Sequence, residues 1–159
     1  MHTIRLAEER DREAILAISK DVAVFTKEEV DTVDELFDEY VHDREARDYV
    51  FAVACDEKQR LLGFVCYGPT ALTDRTYDAY WLAVSKQAQG KGIGRALFVW
   101  MEEQLRAQGV RLIVLETSGT PEYATARHMY DVLGYTGRLA VKDFYRTGDD
   151  LLYYAKTLQ

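Results

Sequence analysis

Residues that staple, ligate or break a chain are scarce here: two cysteines, three histidines and two prolines occur in 159 residues. Cys55 and Cys66 close two apolar stretches, FAVAC and LLGFVC, joined by the polar Asp56 to Arg60, which read as a hairpin. With the turn setting the register, Cys55 faces Leu61 and Cys66 faces Val50. The thiols are then roughly five residues apart at ~3.3 Å each, beyond the ~7 Å limit for a disulfide, so buried free thiols are expected. His2, His42 and His128 are scattered, which gives no metal-ligand spacing and no Ser/His/Asp or Cys/His constellation. No run approaches the ~18 apolar residues of a spanning helix. The opening MHTIRLAEERDREA lacks the apolar core of a signal peptide. A cytoplasmic protein with no membrane partner is expected.

A basic excess is missing too. Lys and Arg number 20 against 27 Asp and Glu, for a net charge of −7. Without a basic stripe to neutralise phosphates, nucleic acid is not an expected partner. The acid is concentrated in residues 1–57, which hold 7 basic against 17 acidic side chains, while residues 58–159 hold 13 against 10.

What is present is an ordinary globular composition, 48% hydrophobic and 30% charged, with no internal repeat or low-complexity segment. A single domain over 1–159 is expected, long enough to bury roughly 70% of its unfolded surface. His2 to Leu6 reads as a strand, and Asp11 is placed to cap a helix whose inner stripe is Ala14, Ile15 and Ile18. Thr26 and Glu29 form a capping box before a second helix carrying Val30, Val33, Leu36, Phe37, Tyr40 and Val41 at helical spacing. Tyr49 to Ala54, Leu61 to Tyr67 and Thr76 to Val84 are strands. A long helix closes at Gly109, Arg111 to Glu116 is a strand apolar enough to be covered on both faces, and Glu122 to Leu133 is a helix stopped by Gly134. Gly137 to Tyr145 and Leu151 to Thr157 finish the chain as strands.

The stretch Tyr80 to Met101, YWLAVSKQAQGKGIGRALFVWM, is the most informative. A strand, a loop with Gly90, Gly92 and Gly94, and a helix start leave free N–H groups aimed at an anion. The loop lacks the Gly-Lys-Ser/Thr ending of a Walker loop, and Leu97 stands where a dinucleotide fingerprint from Gly92 needs Gly or Ala. Gln89-Gly90-Lys91-Gly92-Ile93-Gly94 instead resembles the Q/R-x-x-G-x-G/A signature of the GNAT superfamily of acyl-CoA-dependent N-acetyltransferases. Ala126 to Tyr135, with Tyr130 followed by Gly134-Tyr135, is similar to that family's later helix, and the element order matches along the whole chain. At Tyr123 the sequence departs from the Asn that many members carry.

The resemblance implies an α/β (α+β) fold, a mixed sheet of about seven strands splayed between the fourth and fifth, with about four helices. It implies acetyl-CoA as cofactor, with pantetheine on the backbone of Leu82, Ala83 and Val84 and the diphosphate on Gln89, Gly90, Lys91, Gly92, Ile93, Gly94 and Arg95. Tyr123 and Ala126 fall beside the pantetheine arm, and Ser118 offers a substitute donor for the missing Asn. The implied reaction is attack of a neutral amine on a thioester, with an oxyanion donor at the Ala83 or Val84 N–H and Tyr130 as acid. Glu116, at the end of RLIVLE, is the first candidate base. Asp78 and Tyr80 compete for that role, and their even numbers predict that they share a face with Leu82 and Val84. The acidic front third points to a cationic acceptor, either a polyamine-like compound, an amino sugar or a protein amino group. The apolar LLYYAKTL suggests a homodimer through the late strands. A non-catalytic acyl-CoA sensor is the alternative, and an ATP- or NAD-binding loop a third reading.

Overall fold

A computed structural model of the chain describes residues 1–22, 24–43 and 45–158. Among them, seven strands and four α-helices follow one another as β1 (His2–Leu6), α1 (Arg12–Asp21), α2 (Lys27–His42), β2 (Val50–Asp56), β3 (Leu61–Pro69), β4 (Thr76–Val84), α3 (Ile93–Ala107), β5 (Leu112–Ser118), α4 (Ala124–Val132), β6 (Thr136–Arg146) and β7 (Asp149–Thr157). The strands form one sheet in the order β1-β2-β3-β4-β5-β7-β6. All neighbours are antiparallel except β4 and β5, which run parallel.

The sheet separates two cores. On one face α3 and α4 cover Val65, Tyr67, Ile113 and Leu115, with Leu97, Phe98, Met101 and Tyr130 as the helical contribution. On the other, α1 and α2 bring Ile15, Ile18, Val33 and Phe37 against Phe51, Val53, Phe64 and Cys66. The capping box of α2 forms as the sequence predicts: Glu29 N–H donates to Thr26 Oγ1 at 3.2 Å and Thr26 N–H to Glu29 Oε2 at 2.6 Å. Asp11 departs from its expected role. It stands before α1 without a side-chain cap there; its carboxylate instead takes the Arg5 guanidinium at 2.6 and 3.0 Å and the Glu8 N–H at 2.8 Å.

Cys55 and Cys66 are buried free thiols. Cys55 faces Leu61 as expected, but Cys66 faces Phe51 rather than Val50, because a bulge after Ala54 shifts the register by one. The helix expected from Glu122 begins at Ala124, after a single 3-10 turn at Pro121–Tyr123. Strand β7, which carries most of LLYYAKTL, is paired on both sides, with β5 and with β6. The free edge at this end of the sheet is β6, not β7.

Candidate active site

Strands β4 and β5 pair only where Thr76, Tyr77 and Asp78 meet Leu112, Ile113 and Val114. Beyond Asp78 they part, and the gap opens into a cleft of about 760 Å³ lined on its walls by Phe25, Glu29, Trp81, Glu116, Tyr123 and Tyr145, among others. The splay is built into β4. Cys66 pairs with Trp81 and Tyr67 with Ala79, which leaves Tyr80 without an opposite residue. Such a bulge bends its strand and resets the side-chain alternation.

The expectation that Asp78 and Tyr80 share a face with Leu82 and Val84 fails at this point. Tyr77, Ala79, Leu82 and Val84 pack toward α3 and α4, whereas Trp81 and Ala83 pack toward α1 and α2. Asp78, between Tyr77 and Ala79, therefore belongs to the α1/α2 side. Tyr80 rests its ring on Tyr49 at 5.4 Å, at the edge of that same core.

The backbone of β4 can be assigned as well. Ser85 N–H donates to Leu62 O at 2.8 Å, across the β3 side. Backbone groups alternate along a strand, so the N–H and C=O of Val84 and Leu82 face the gap and those of Ala83 face β3. The Val84 carbonyl takes the Gln89 side-chain amide at 3.2 Å, which leaves its N–H as the open donor. Of the two expected oxyanion donors, the geometry favours Val84.

Gly90 and Gly92 hold φ of 73° and 76°, and nothing lies within 4 Å of where a Cβ would stand. Their requirement is conformational, since only glycine enters the left-handed region without cost. The first intrahelical bond of α3 is Ala96 N–H to Gly92 O at 2.9 Å, so the N–H groups of Ile93, Gly94 and Arg95 have no intrahelical acceptor. Gly94 serves packing: a Cβ would meet Met129 Sδ at 3.3 Å and Leu82 Cδ2 at 3.5 Å. Lys91 and Arg95 are exposed beside this loop, and the Ile93 side chain is buried. The loop and helix start together offer backbone donors and two cations to a diphosphate.

Tyr130 is 8% exposed, lines the cleft, and packs its ring against Phe98 at 5.4 Å and Tyr154 at 6.0 Å. Burial pushes its phenol well above the ordinary value, so it stays protonated. Among the described residues no hydrogen-bond partner meets its hydroxyl. Ala126 lies half-buried a turn earlier, and His128 is exposed.

Glu116 stands exposed within the cleft. Asp78 is held by Thr70, whose Oγ1 donates to Oδ2 at 2.5 Å. Both carboxylates bear on Tyr153, which burial and then their charge push upward. Ser118, the expected substitute donor, has its hydroxyl committed to Asp149 Oδ1 at 2.5 Å and accepts Thr120 N–H at 3.1 Å. Tyr123 reaches across the cleft, its hydroxyl 3.5 Å from Val24 O. Burial first, then Glu29 and Asp149, push its phenol up to about 12.

Several residues that line the cleft or hold its lining in place carry no sequence signal. Thr70 lies in a loop eight residues before its partner; Tyr145 and Asp149 arrive by the β6–β7 hairpin. Arg127 fixes the loop after β5 through Nη1 bonds of 2.7 Å to Ser118 O and Thr120 O. Among the described residues no cluster of His, Cys, Asp or Glu could hold a metal ion, and no helix is long and apolar enough to cross a membrane.

Comparison with known proteins places this architecture. Residues 12–135 match the family model described as the acetyltransferase (GNAT) family. A solved GNAT-family protein from Desulfovibrio desulfuricans is 35% identical, with all of both chains covered and a TM-score of 0.94. The ribosomal-protein-S18-alanine N-acetyltransferase of Escherichia coli shares the fold at 20% identity, covering 100% of this chain and 95% of its own, with a TM-score of 0.82. A Salmonella typhimurium protein solved with its cofactor acetyl-CoA shares it at 21% identity, 99% and 94% coverage and a TM-score of 0.79. No curated protein matches by sequence.

Proposed function

The chain belongs to the GNAT family of acetyltransferases, and from that premise we propose that it moves the acetyl group of acetyl-CoA to a primary amine that is cationic in solution, by direct attack and in the cytoplasm. The observation that carries this reading is the conjunction of a splayed β4/β5 gap, a donor-lined α3 start and a buried, unpartnered Tyr130 in one cleft. Each of these fits acetyl-CoA. Pantetheine amides can pair with the gap-facing backbone of Leu82 and Val84 as an added strand would. The diphosphate fits the N–H groups of Ile93 to Arg95, with Lys91 and Arg95 beside it.

Acetyl-CoA supplies the thioester, whose C–S bond breaks as the amine nitrogen bonds to the acetyl carbon. Glu116 takes the proton that the attacking nitrogen sheds, directly or through water. The Val84 N–H is a fixed donor for the carbonyl oxygen as it gains charge, and a fixed dipole needs no reorganisation. Tyr130 gives its phenolic proton to the departing sulfur.

Thiol release from acetyl-CoA over an amine panel tests the proposal. Tyr130→Phe is expected to lower kcat by about 10²-fold while coenzyme A affinity stays nearly unchanged. Equal rates in both proteins would remove Tyr130 from the acid role. Coenzyme A binding without turnover on any amine would favour a sensor, and stronger thermal protection by ATP or NAD than by coenzyme A would overturn the loop assignment.

A further inference from the structure

No hydrogen bond among the described residues holds the Tyr130 hydroxyl, and its ring is gripped from the sides, by Phe98 at 5.4 Å, Tyr154 at 6.0 Å and Tyr135 at 6.1 Å. How far the phenol advances into the cleft is therefore set by where α4 sits. That helix has little to fix it. Of its nine residues only Tyr130 is buried, and no side chain caps its N-terminus.

Arg127 supplies the missing tie. Three residues before Tyr130, it is the one side chain of α4 that hydrogen-bonds outside the helix among the described residues, and its Nη1 donates to the carbonyls of Ser118 and Thr120, both at 2.7 Å. Nη1 carries two hydrogens, so both are spent. Arg5, Arg12 and Arg60 each meet a carboxylate, whereas among the described residues no carboxylate forms an ion pair with Arg127. A planar guanidinium on two neutral carbonyls fixes direction as well as distance.

The loop that Arg127 grips is itself anchored. Ser118 Oγ donates to Asp149 at 2.5 Å and accepts the Thr120 N–H at 3.1 Å, while the Gly119 N–H donates to Asp150 O at 2.9 Å. Ser118 is the last residue of β5, two along from Glu116. A continuous connection thus runs from Glu116 through the end of β5, which is pinned to the start of β7, to Arg127 and on to Tyr130. Base and acid share one frame.

We infer that Arg127 is a positioning residue: its two bonds set the place of α4 along the cleft, and with it the reach of the Tyr130 hydroxyl toward the departing sulfur. This rests on the acid role proposed for Tyr130. A merely structural tie would support the protein equally whatever stands at 130, whereas a positioning residue acts through the phenol. Displacing a reacting group by about 1 Å is enough to slow a reaction strongly.

A double-mutant cycle separates the two. At saturating acetyl-CoA and amine, Arg127→Ala should lower kcat by about tenfold and leave the acetyl-CoA KM within about twofold. In the Tyr130→Phe protein the same change should cost less than about twofold, because no phenol is left to place. Arg127→Lys, which keeps the charge and a donor, should lose about threefold, again only with Tyr130 present, and it carries the test if Arg127→Ala does not fold. Equal losses in the two backgrounds, or no loss in either Arg127 variant, would overturn the inference. Fluorine NMR of the coenzyme A complex, with 3-fluorotyrosine at position 130 alone, gives a readout apart from turnover: the Arg127 variants should shift or broaden the resonance. If Tyr130→Phe by itself leaves kcat unchanged, the acid role fails and the spectrum decides. A moved resonance then still supports Arg127 as the residue that places the ring, and one sharp, unmoved resonance overturns it.

Discussion

Glu116 and Asp78 both reach the cleft as carboxylates, but their partners differ. Thr70 already donates to Asp78 at 2.5 Å, while among the described residues no hydrogen-bond or ion-pair partner meets Glu116. A base must accept a proton, and a carboxylate already taking a hydroxyl hydrogen has less capacity to do so. Glu116→Gln is therefore expected to lower kcat by about 10²-fold near neutral pH. The loss should shrink as pH rises, because more of the amine then arrives deprotonated. Asp78→Asn should cost about tenfold or less. Full pH profiles of kcat/KM for both variants decide the matter, and a larger, pH-rescued loss in Asp78→Asn would transfer the role.

The glycine loop and β4 show what was legible at the scale of elements. Gly90 and Gly92 could be read from sequence because their demand is local: φ near 75° is a property of two residues. The order of elements along the chain, the α2 cap and the site of the splay followed from periodicity, cap chemistry and family resemblance. The bulge at Tyr80 was not legible, since period-two reading assumes an unbroken ladder and nothing in DAYWLAV marks the residue to be skipped. That one slip turned Asp78 to the face opposite Leu82. The contacts of Thr70, Tyr145 and Asp149 depend on elements meeting in space, and Ser118 lost its expected freedom to a partner 31 residues away. The loop itself makes a clean test. Gly92→Ala forces a side chain into the left-handed region with no atom nearby to clash, so the cost is conformational, about 1–2 kcal/mol. A melting temperature lower by about 2–8 °C and weaker coenzyme A binding are expected. An unchanged melting temperature would mean that the loop relaxes at no cost.

Across the whole molecule, the two cores hold tyrosines as interior residues. Tyr67 and Tyr135 are 3% exposed and Tyr130 8%, and burial pushes all three phenols above the ordinary value. Tyr123 and Tyr145, at the cleft, are pushed up to about 12, again chiefly by burial. The buried Cys66 thiol is raised by the same cause. Each group binds its proton more tightly folded than unfolded. Their contribution to stability is then fully present below the unfolded values, near 9 for the thiol and near 10 for the phenols, and is lost as pH rises through the folded values. Stability is expected to be flat up to pH about 8, to slip slightly as the unfolded thiol titrates, and to fall steeply between about 10 and 12. Urea midpoints across that range, with tyrosinate absorbance and circular dichroism followed together, report it. Because the buried phenols cannot ionise in place, most tyrosinate absorbance should appear with the loss of structure, in one cooperative step. If all 11 tyrosines titrated near pH 10 with the dichroism intact, water would be reaching both cores, and the closed packing around Tyr130 on which the acid role depends would be wrong.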